Sequence, residues 1–262
     1  MRLTGDVCST NEVSPQDLDQ MFTLMQRYYD NIDREMFNLD FREKDVAIIA
    51  RDPCDGTICG FSTQVVYTQR VGLETVRVLF SGDTIIDRRF WGNNPLAQLW
   101  GRMALSLIDR YPHQQLYWFL ISKGYKTYRF LPVFFQEFYP RYDQRTPEWA
   151  ERLITELASA RFGKQFCHST GILKASKQAC RLSNHVADIT VNRLKDPHVA
   201  FFNRVNPGHF HGDELCCIAP LSRANFSRSA FHVIGRSEEQ ESQNHGLQDS
   251  NCHATTMSEP NK

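Results

Sequence analysis

Apolar residues at Leu18, Met21, Phe22, Met25, Tyr28 and Tyr29 recur three or four positions apart, which predicts an amphipathic helix with one buried face. Ser14-Pro15-Gln16-Asp17 marks its start: a serine oxygen accepts from first-turn amides, proline is tolerated at the first helical position, and an acid follows. Ile32 to Phe41 predicts a second, short helix. From Asp45 the pattern changes to strands: Val46 to Ala50, a turn at Pro53-Cys54-Asp55-Gly56, Thr57 to Thr68, a turn around Gly72, then Thr75 to Asp87. These runs predict an antiparallel meander, and Gly82 inside the third predicts a bulge or a close approach to the backbone.

Asn94-Pro95 opens a helix with Leu96, Leu99, Trp100, Met103 and Leu107 on one face, and Tyr111-Pro112 stops it. Leu116 to Ile121 is a short continuous apolar run suited to a strand covered on both faces, and Tyr125 to Phe138 predicts a helix. Past Tyr139-Pro140 the periodicity weakens, leaving helices over Trp149 to Ala160 and near Pro197 to Arg204, a strand over Leu215 to Ile218 and a last helix. The expectation is an α/β domain with a mixed sheet over residues 1–140 and a mainly helical extension over 141–235 packed on it. Residues 236–262 are polar and poor in large apolar groups, so a disordered tail is expected there.

No apolar run approaches the roughly 20 residues that span a bilayer, and Met1 to Thr10 lacks the basic start and apolar core of a signal peptide, so a cytoplasmic protein is expected. Lys plus Arg and Asp plus Glu both number 30, so no overall field draws nucleic acid. The eight cysteines form no C-x-x-C pair, which predicts free thiols. The loop from Pro207 to Glu214 carries two histidines and two acids. However, His209 and His211 flank a single residue and Cys216-Cys217 are adjacent, a spacing unlike a closed metal site, so no metal is expected. Cys167-His168 is a weak nucleophile pair, because nucleophile and base need spatial rather than sequential adjacency.

The stretch with most chemical content runs from Ile85 to Leu96, where a strand ends, a glycine-bearing loop follows and a helix begins. Such a junction aims backbone amides and the positive end of a helix dipole at one point, which suits a pyrophosphate. Gly92 lets the loop approach a ligand, and Arg88 or Arg89 can add a charge-assisted bond. The plain alternative is that Asn94 caps the helix and the arginines are solvated.

Arg89-Phe90-Trp91-Gly92-Asn93-Asn94 resembles the Arg/Gln-x-x-Gly-x-Gly/Ala loop of the GNAT superfamily, with Asn94 where that family has glycine or alanine. By element order the resemblance covers roughly residues 14 to 140. Leu79 to Asp87 with the Arg-Phe-Trp-Gly loop is further similar to a bacterial GNAT-like group that attaches fatty acyl chains to ribosomally made peptides. The resemblance implies an N-acyltransferase with an acyl-CoA or acyl carrier protein thioester as donor. It implies a lysine or ornithine side chain of a peptide as acceptor, a small metabolite amine being the alternative. Donor contacts would come from Ile85, Ile86, Arg88, Arg89, Trp91, Gly92, Asn93 and Asn94. Asp83, a carboxylate in an otherwise apolar strand, is the candidate base, with a bulge-stabilising role as its alternative; Tyr128, with Tyr125 near it, is the candidate acid for the departing thiolate. The aromatics from Tyr117 to Tyr139 can line an acyl tunnel or simply fill the core. A GNAT-like module that binds without turnover is the rival from another functional class.

Overall fold

The computed structural model describes residues 2–92, 95–186 and 188–235. In chain order it contains β1 (Thr4–Ser9), α1 (Pro15–Gln26), β2 (Tyr29–Asp30), α2 (Arg34–Arg42), β3 (Val46–Arg51), β4 (Ile58–Val71), β5 (Glu74–Ile86), α3 (Leu96–Arg110), β6 (Leu116–Ser122), α4 (Tyr125–Tyr128) and α5 (Phe130–Phe134). There follow α6 (Glu148–Phe162), β7 (Phe166–Cys167), β8 (Ile172–Leu173), β9 (Arg181–Leu182), α7 (Pro197–Val205), β10 (Glu214–Pro220) and a helix α8 over 228–235. Eight strands form one mixed sheet in the order β1-β3-β4-β5-β6-β10-β8-β7, and β2 pairs with β9 apart from it. All its pairings are antiparallel except β5 with β6.

The expected meander is β3-β4-β5, joined by turns in which Gly56 and Gly72 take positive φ. Ser14 Oγ accepts from the Asp17 amide at 3.1 Å, the cap that starts α1. β6 is buried on both faces, with Trp118 and Leu120 in one apolar cluster and Phe119 in the other. One face of the sheet is covered by α1, α2 and α6, which pack on Ala47, Ile49, Phe61, Val78 and Phe80. The other is covered by α3 and the aromatics of α4, α5 and α7.

Two expectations need correction, and one strand was not expected. The sheet crosses the boundary expected at residue 140, because β10 from the extension pairs with β6 from Leu215↔Ser122 to Pro220↔Tyr117 and so completes the core. The helix expected over Tyr125 to Phe138 is broken at Arg129 into α4 and α5 and ends at Phe134. Pro132 supplies no amide for the Tyr128 carbonyl and its ring crowds that position, after which Phe135 is extended and bridges Phe226. The strand β1 lay outside the pattern read from the sequence, because most of its residues are exposed or half-buried on an edge. No described helix is long and apolar enough to cross a membrane. The tail expected over 236–262 lies outside the described residues.

Candidate active site

β5 and β6 run side by side only from Arg77↔Leu116 to Ser81↔Leu120. Beyond that point β5 follows β4 while Ile121 and Ser122 follow β10, so the two strands part and leave a gap in the middle of the sheet. A bulge sits at the same place. Ser81 faces Gln64 and Thr84 faces Ser62, so Gly82 and Asp83 of β5 oppose the single residue Thr63. The extra residue breaks the alternation of β5, so that the consecutive Gly82 and Asp83 both line the α2/α6 side, while Thr84 reaches both sides. Gly82 is where the backbone is closely approached. A Cβ there would lie 2.5 Å from Lys44 Cε and 2.6 Å from Thr63 Oγ1.

On the α2/α6 side the gap opens into a cleft of 340 Å³ lined by Tyr29, Asp40, Glu43, Asp83, Thr84, Lys123, Thr127, Arg161 and Glu214, with Phe80, Gly82, Ile121 and Phe162 as the rest of its wall. Most of its charges are paired: Lys44, buried beneath Gly82, meets Asp40 at 2.6 Å, Lys123 meets Glu214 at 3.4 Å, and Arg161 meets Glu43 at 3.4 Å. Asp83 is different. Among the described residues its carboxylate accepts no hydrogen bond and makes no ion pair, so a bulge-stabilising role has no bond to carry it. Burial and the nearby Asp40 push its carboxyl up to about 6, against the pull of Lys123 and Lys44. Burial works against the charge of Lys123, yet Glu214, with Cys180, Tyr29 and Asp83, holds its ammonium above the ordinary range.

On the α3 side a narrower apolar recess of 40 Å³ is lined by Ser62, Ser81, Thr84, Leu96, Ala97, Trp100, Trp118, Leu120, Thr127 and Phe130. Leu96 and Ala97 are the first turn of α3, so the recess lies at that helix's positive end. Its floor is filled: Trp100 packs on Trp118 with ring centroids 4.5 Å apart and edge-on to Phe134 and Phe135. Among the described residues, Trp118, Phe134 and Phe135 of the aromatic run are packed core at this floor. Thr84 and Thr127 line both the cleft and the recess, so the two meet in the gap.

The residues expected to bind a donor are distributed differently from the expectation. The Arg88 amide donates to the Tyr28 hydroxyl at 2.7 Å, the Arg89 amide to Asp87 Oδ1, the Phe90 amide to the Asp87 carbonyl and the Trp91 amide to the Arg88 carbonyl. These four amides are satisfied within the protein, so the loop does not present them to a ligand. The Arg89 guanidinium is held by Asp87 at 3.1 and 3.3 Å; burial opposes ionisation of Asp87, but these bonds keep its carboxyl below the usual range. Ile85 faces the α1/α2 core and Ile86 packs on the α3 side. What the loop does present is Trp91, whose indole N–H donates to the Ile86 carbonyl while Lys126 Nζ sits 3.1 Å from the ring centroid. Arg88 lies over the other part of that cluster, 5.5 Å from the same ring. Burial first, then Arg193 and Arg88, pull the Lys126 amine down to about 8, against the pull of Asp188. Gly92 is exposed at φ 89°, and Asn93 and Asn94 lie outside the described residues.

Tyr128 lines neither the cleft nor the recess. It is fully buried among Phe138, Phe201 and Phe202, its hydroxyl donates to the Pro140 carbonyl at 2.9 Å, and burial raises its pKa. Tyr128→Phe should therefore leave turnover intact while lowering stability by about 1–3 kcal/mol through the unpaired carbonyl, which kinetics and thermal unfolding together would read. Sequence reasoning passed over Lys44, Thr84, Lys123 and Thr127, and weighed Glu214 only as part of a metal-like loop. A usable signal was present in Ser62-Thr63-Gln64 and Ser81, polar residues in the buried middle of apolar strands. Cys167, whose thiol is lowered to about 7 by Ser169 and Thr170, lies away from the gap; His168 packs on Phe166. Among the described residues no cluster of His, Cys, Asp and Glu is placed to hold a metal ion.

The chain matches no protein-family model and no curated protein. Among solved structures it is similar to a GNAT family N-acetyltransferase from Escherichia coli in complex with CoA, with 18% identity, coverage of 50% of this chain and 68% of that one, and a TM-score of 0.37. It is similar to an acetyltransferase of Trypanosoma brucei, with 17% identity, coverage of 56% and 97% and a TM-score of 0.34. It is also similar to Saccharomyces cerevisiae N-myristoyltransferase with bound myristoyl-CoA, with 12% identity, coverage of 45% and 31% and a TM-score of 0.33.

Proposed function

We propose that the protein is an N-acyltransferase that moves an acyl group from an acyl-CoA or a carrier-protein thioester to a primary amine. The observation that carries this reading is the gap beyond Ser81 and Leu120, with an apolar recess on one side and a carboxylate-lined cleft on the other, joined at Thr84 and Thr127. A thioester entering past the first turn of α3 sets its acyl carbon in the gap, and its phosphates lie toward the cations around Trp91, namely Arg88, Lys126 and Arg193. An amine entering from the other side meets Asp83, whose unpartnered carboxylate accepts the proton that the ammonium must lose before it attacks.

The packed floor of the recess favours acyl groups of a few carbons over fatty chains. The unpaired carboxylate of Asp83 in the cleft favours an acceptor that arrives positively charged, either a lysine or ornithine side chain on a peptide or a small polyamine. Incubation with a series of acyl-CoAs and amine-bearing peptides and polyamines, read by mass spectrometry, tests the reading: one acyl mass added to an amine is expected, and no addition for any pair would overturn it. The satisfied amides of Arg88 to Trp91 favour a second reading, a module that binds the donor without turnover. Stabilisation by CoA with no transfer would establish that alternative.

A further inference from the structure

Between the recess and the strands lies an unbroken chain of buried polar side chains. Trp118 Nε1 donates to Ser81 Oγ at 2.9 Å, Ser81 Oγ bonds Gln64 Oε1 at 2.5 Å, Gln64 Nε2 bonds Ser62 Oγ at 2.7 Å, and Ser62 Oγ meets Thr84 Oγ1 at 2.7 Å. Ser62, Gln64 and Ser81 are each at most 4% exposed. Four polar groups in the centre of a sheet oppose folding unless each is satisfied, and here each satisfies the next.

The direction of the chain is set at one end. An indole N–H can only donate, so Ser81 Oγ accepts from Trp118 and must send its own proton to Gln64 Oε1. This fixes the Gln64 amide with its nitrogen toward Ser62, and Ser62, having accepted, sends its proton to Thr84. Thr84 is left with the free O–H at the end of a chain whose dipoles all point toward the gap. Inside the protein its remaining acceptor is the Gly82 carbonyl at 3.5 Å, a long contact that a better-placed oxygen displaces.

We propose that the Thr84 hydroxyl donates to the thioester carbonyl oxygen of the donor and is polarised for that task by the Trp118–Ser81–Gln64–Ser62 chain. The inference rests on the acyltransferase reading above and assigns it a side-chain donor. As the amine nitrogen forms its bond to the carbonyl carbon, the C=O pair moves onto oxygen, where the Thr84 O–H meets the growing charge. Asp83 takes the first proton from the ammonium before attack; collapse re-forms C=O and breaks the C–S bond, and the second nitrogen proton passes through water to the sulfur, so CoA leaves as the thiol. Thr84 keeps its proton throughout, since a threonine hydroxyl is a hydrogen-bond donor here and not an acid.

The test is infrared spectroscopy of carbonyl-13C acetyl-CoA bound to the full chain, because a hydrogen bond to the carbonyl lowers its stretching frequency whether or not turnover follows. The wild type and Thr84→Ser should show the shift to lower frequency. Thr84→Val, nearly isosteric, should lose it, and kcat should fall about 10²-fold as for other single oxyanion donors, with little change in donor affinity. Ser62→Ala, which only removes the polarising neighbour, should weaken the shift, and it keeps the proposal open to refutation if the valine variant fails to fold. A bound carbonyl with the same frequency in wild type and Thr84→Val overturns this inference alone. Failure of the wild type to bind acetyl-CoA overturns the acyl-CoA reading together with it.

Discussion

Asp83→Asn is expected to lower amine acylation about 10²- to 10⁴-fold, the range of a lost general base, while leaving donor binding near the wild-type value. The same substitution should raise thermal stability near neutral pH. The carboxyl of Asp83 is pushed up to about 6 by burial and by Asp40, above its unfolded value, so the folded state binds that proton more tightly than the unfolded chain does. Its contribution to stability is present at low pH and is lost as pH rises toward 6 and beyond, and a neutral asparagine removes that penalty. The rate of the wild type moves the other way: only the ionised form accepts a proton, so kcat/KM should climb with pH through about 6 and then level. An Asp83→Asn variant that is more stable yet inactive, with the acidic limb of its pH profile gone, separates catalysis from folding. Unaltered turnover in that variant would remove Asp83 from the mechanism.

Trp100→Ala should have the largest structural effect. The indole fills the floor of the recess against Trp118, Phe134 and Phe135, and its N–H has no hydrogen-bond partner among the described residues, so its loss removes contacts and no bond. Stability should fall by about 3–5 kcal/mol, as for other buried tryptophan truncations. The volume released lies where the donor's acyl tail would enter. Among acyl-CoAs of increasing length, the variant's preference should move toward longer chains, measured as the ratio of kcat/KM for octanoyl- and acetyl-CoA. A drop in stability with an unchanged ratio would place the acyl tail elsewhere.

Local chemistry was legible in the sequence where one residue decided the outcome. Ser14 and Pro15 began a helix, Gly56 and Gly72 turned the meander, and Gly82 interrupted its strand at the bulge. Asp83 stood out because a carboxylate in an apolar run needs a reason, and it lines the cleft. One strand and the placement of another escaped, and both depend on distant partners. β1 gains its place by pairing with β3 and lying against Pro95 and Leu99 at the start of α3, and β10, expected as a strand but in an appended region, is bonded to β6 across about 95 residues of chain. Tyr128 shows the limit on site residues. Its position after β6 fitted an acid, yet the break that Pro132 makes in the expected helix leaves its hydroxyl on the Pro140 carbonyl, and no periodicity reports that turn. In the loop from Arg88 to Trp91 the amides bond Tyr28, Asp87 and the Arg88 carbonyl, partners that spacing alone does not reveal.

The seating of β10 between β6 and β8 has a practical corollary. Adjacent residues of a strand point to opposite faces, so the Cys216 thiol lies in the cluster under α6 and the Cys217 thiol in the cluster under α3, at 1% and 0% exposure. Burial raises both thiols, so neither reacts while its own layer stays closed. The pair is thus a two-channel gauge of breathing. Alkylation localised to 216 or 217 by peptide fragmentation reports which side of the sheet loosens first under denaturant, and equal labelling at both would mean that the two layers open as one.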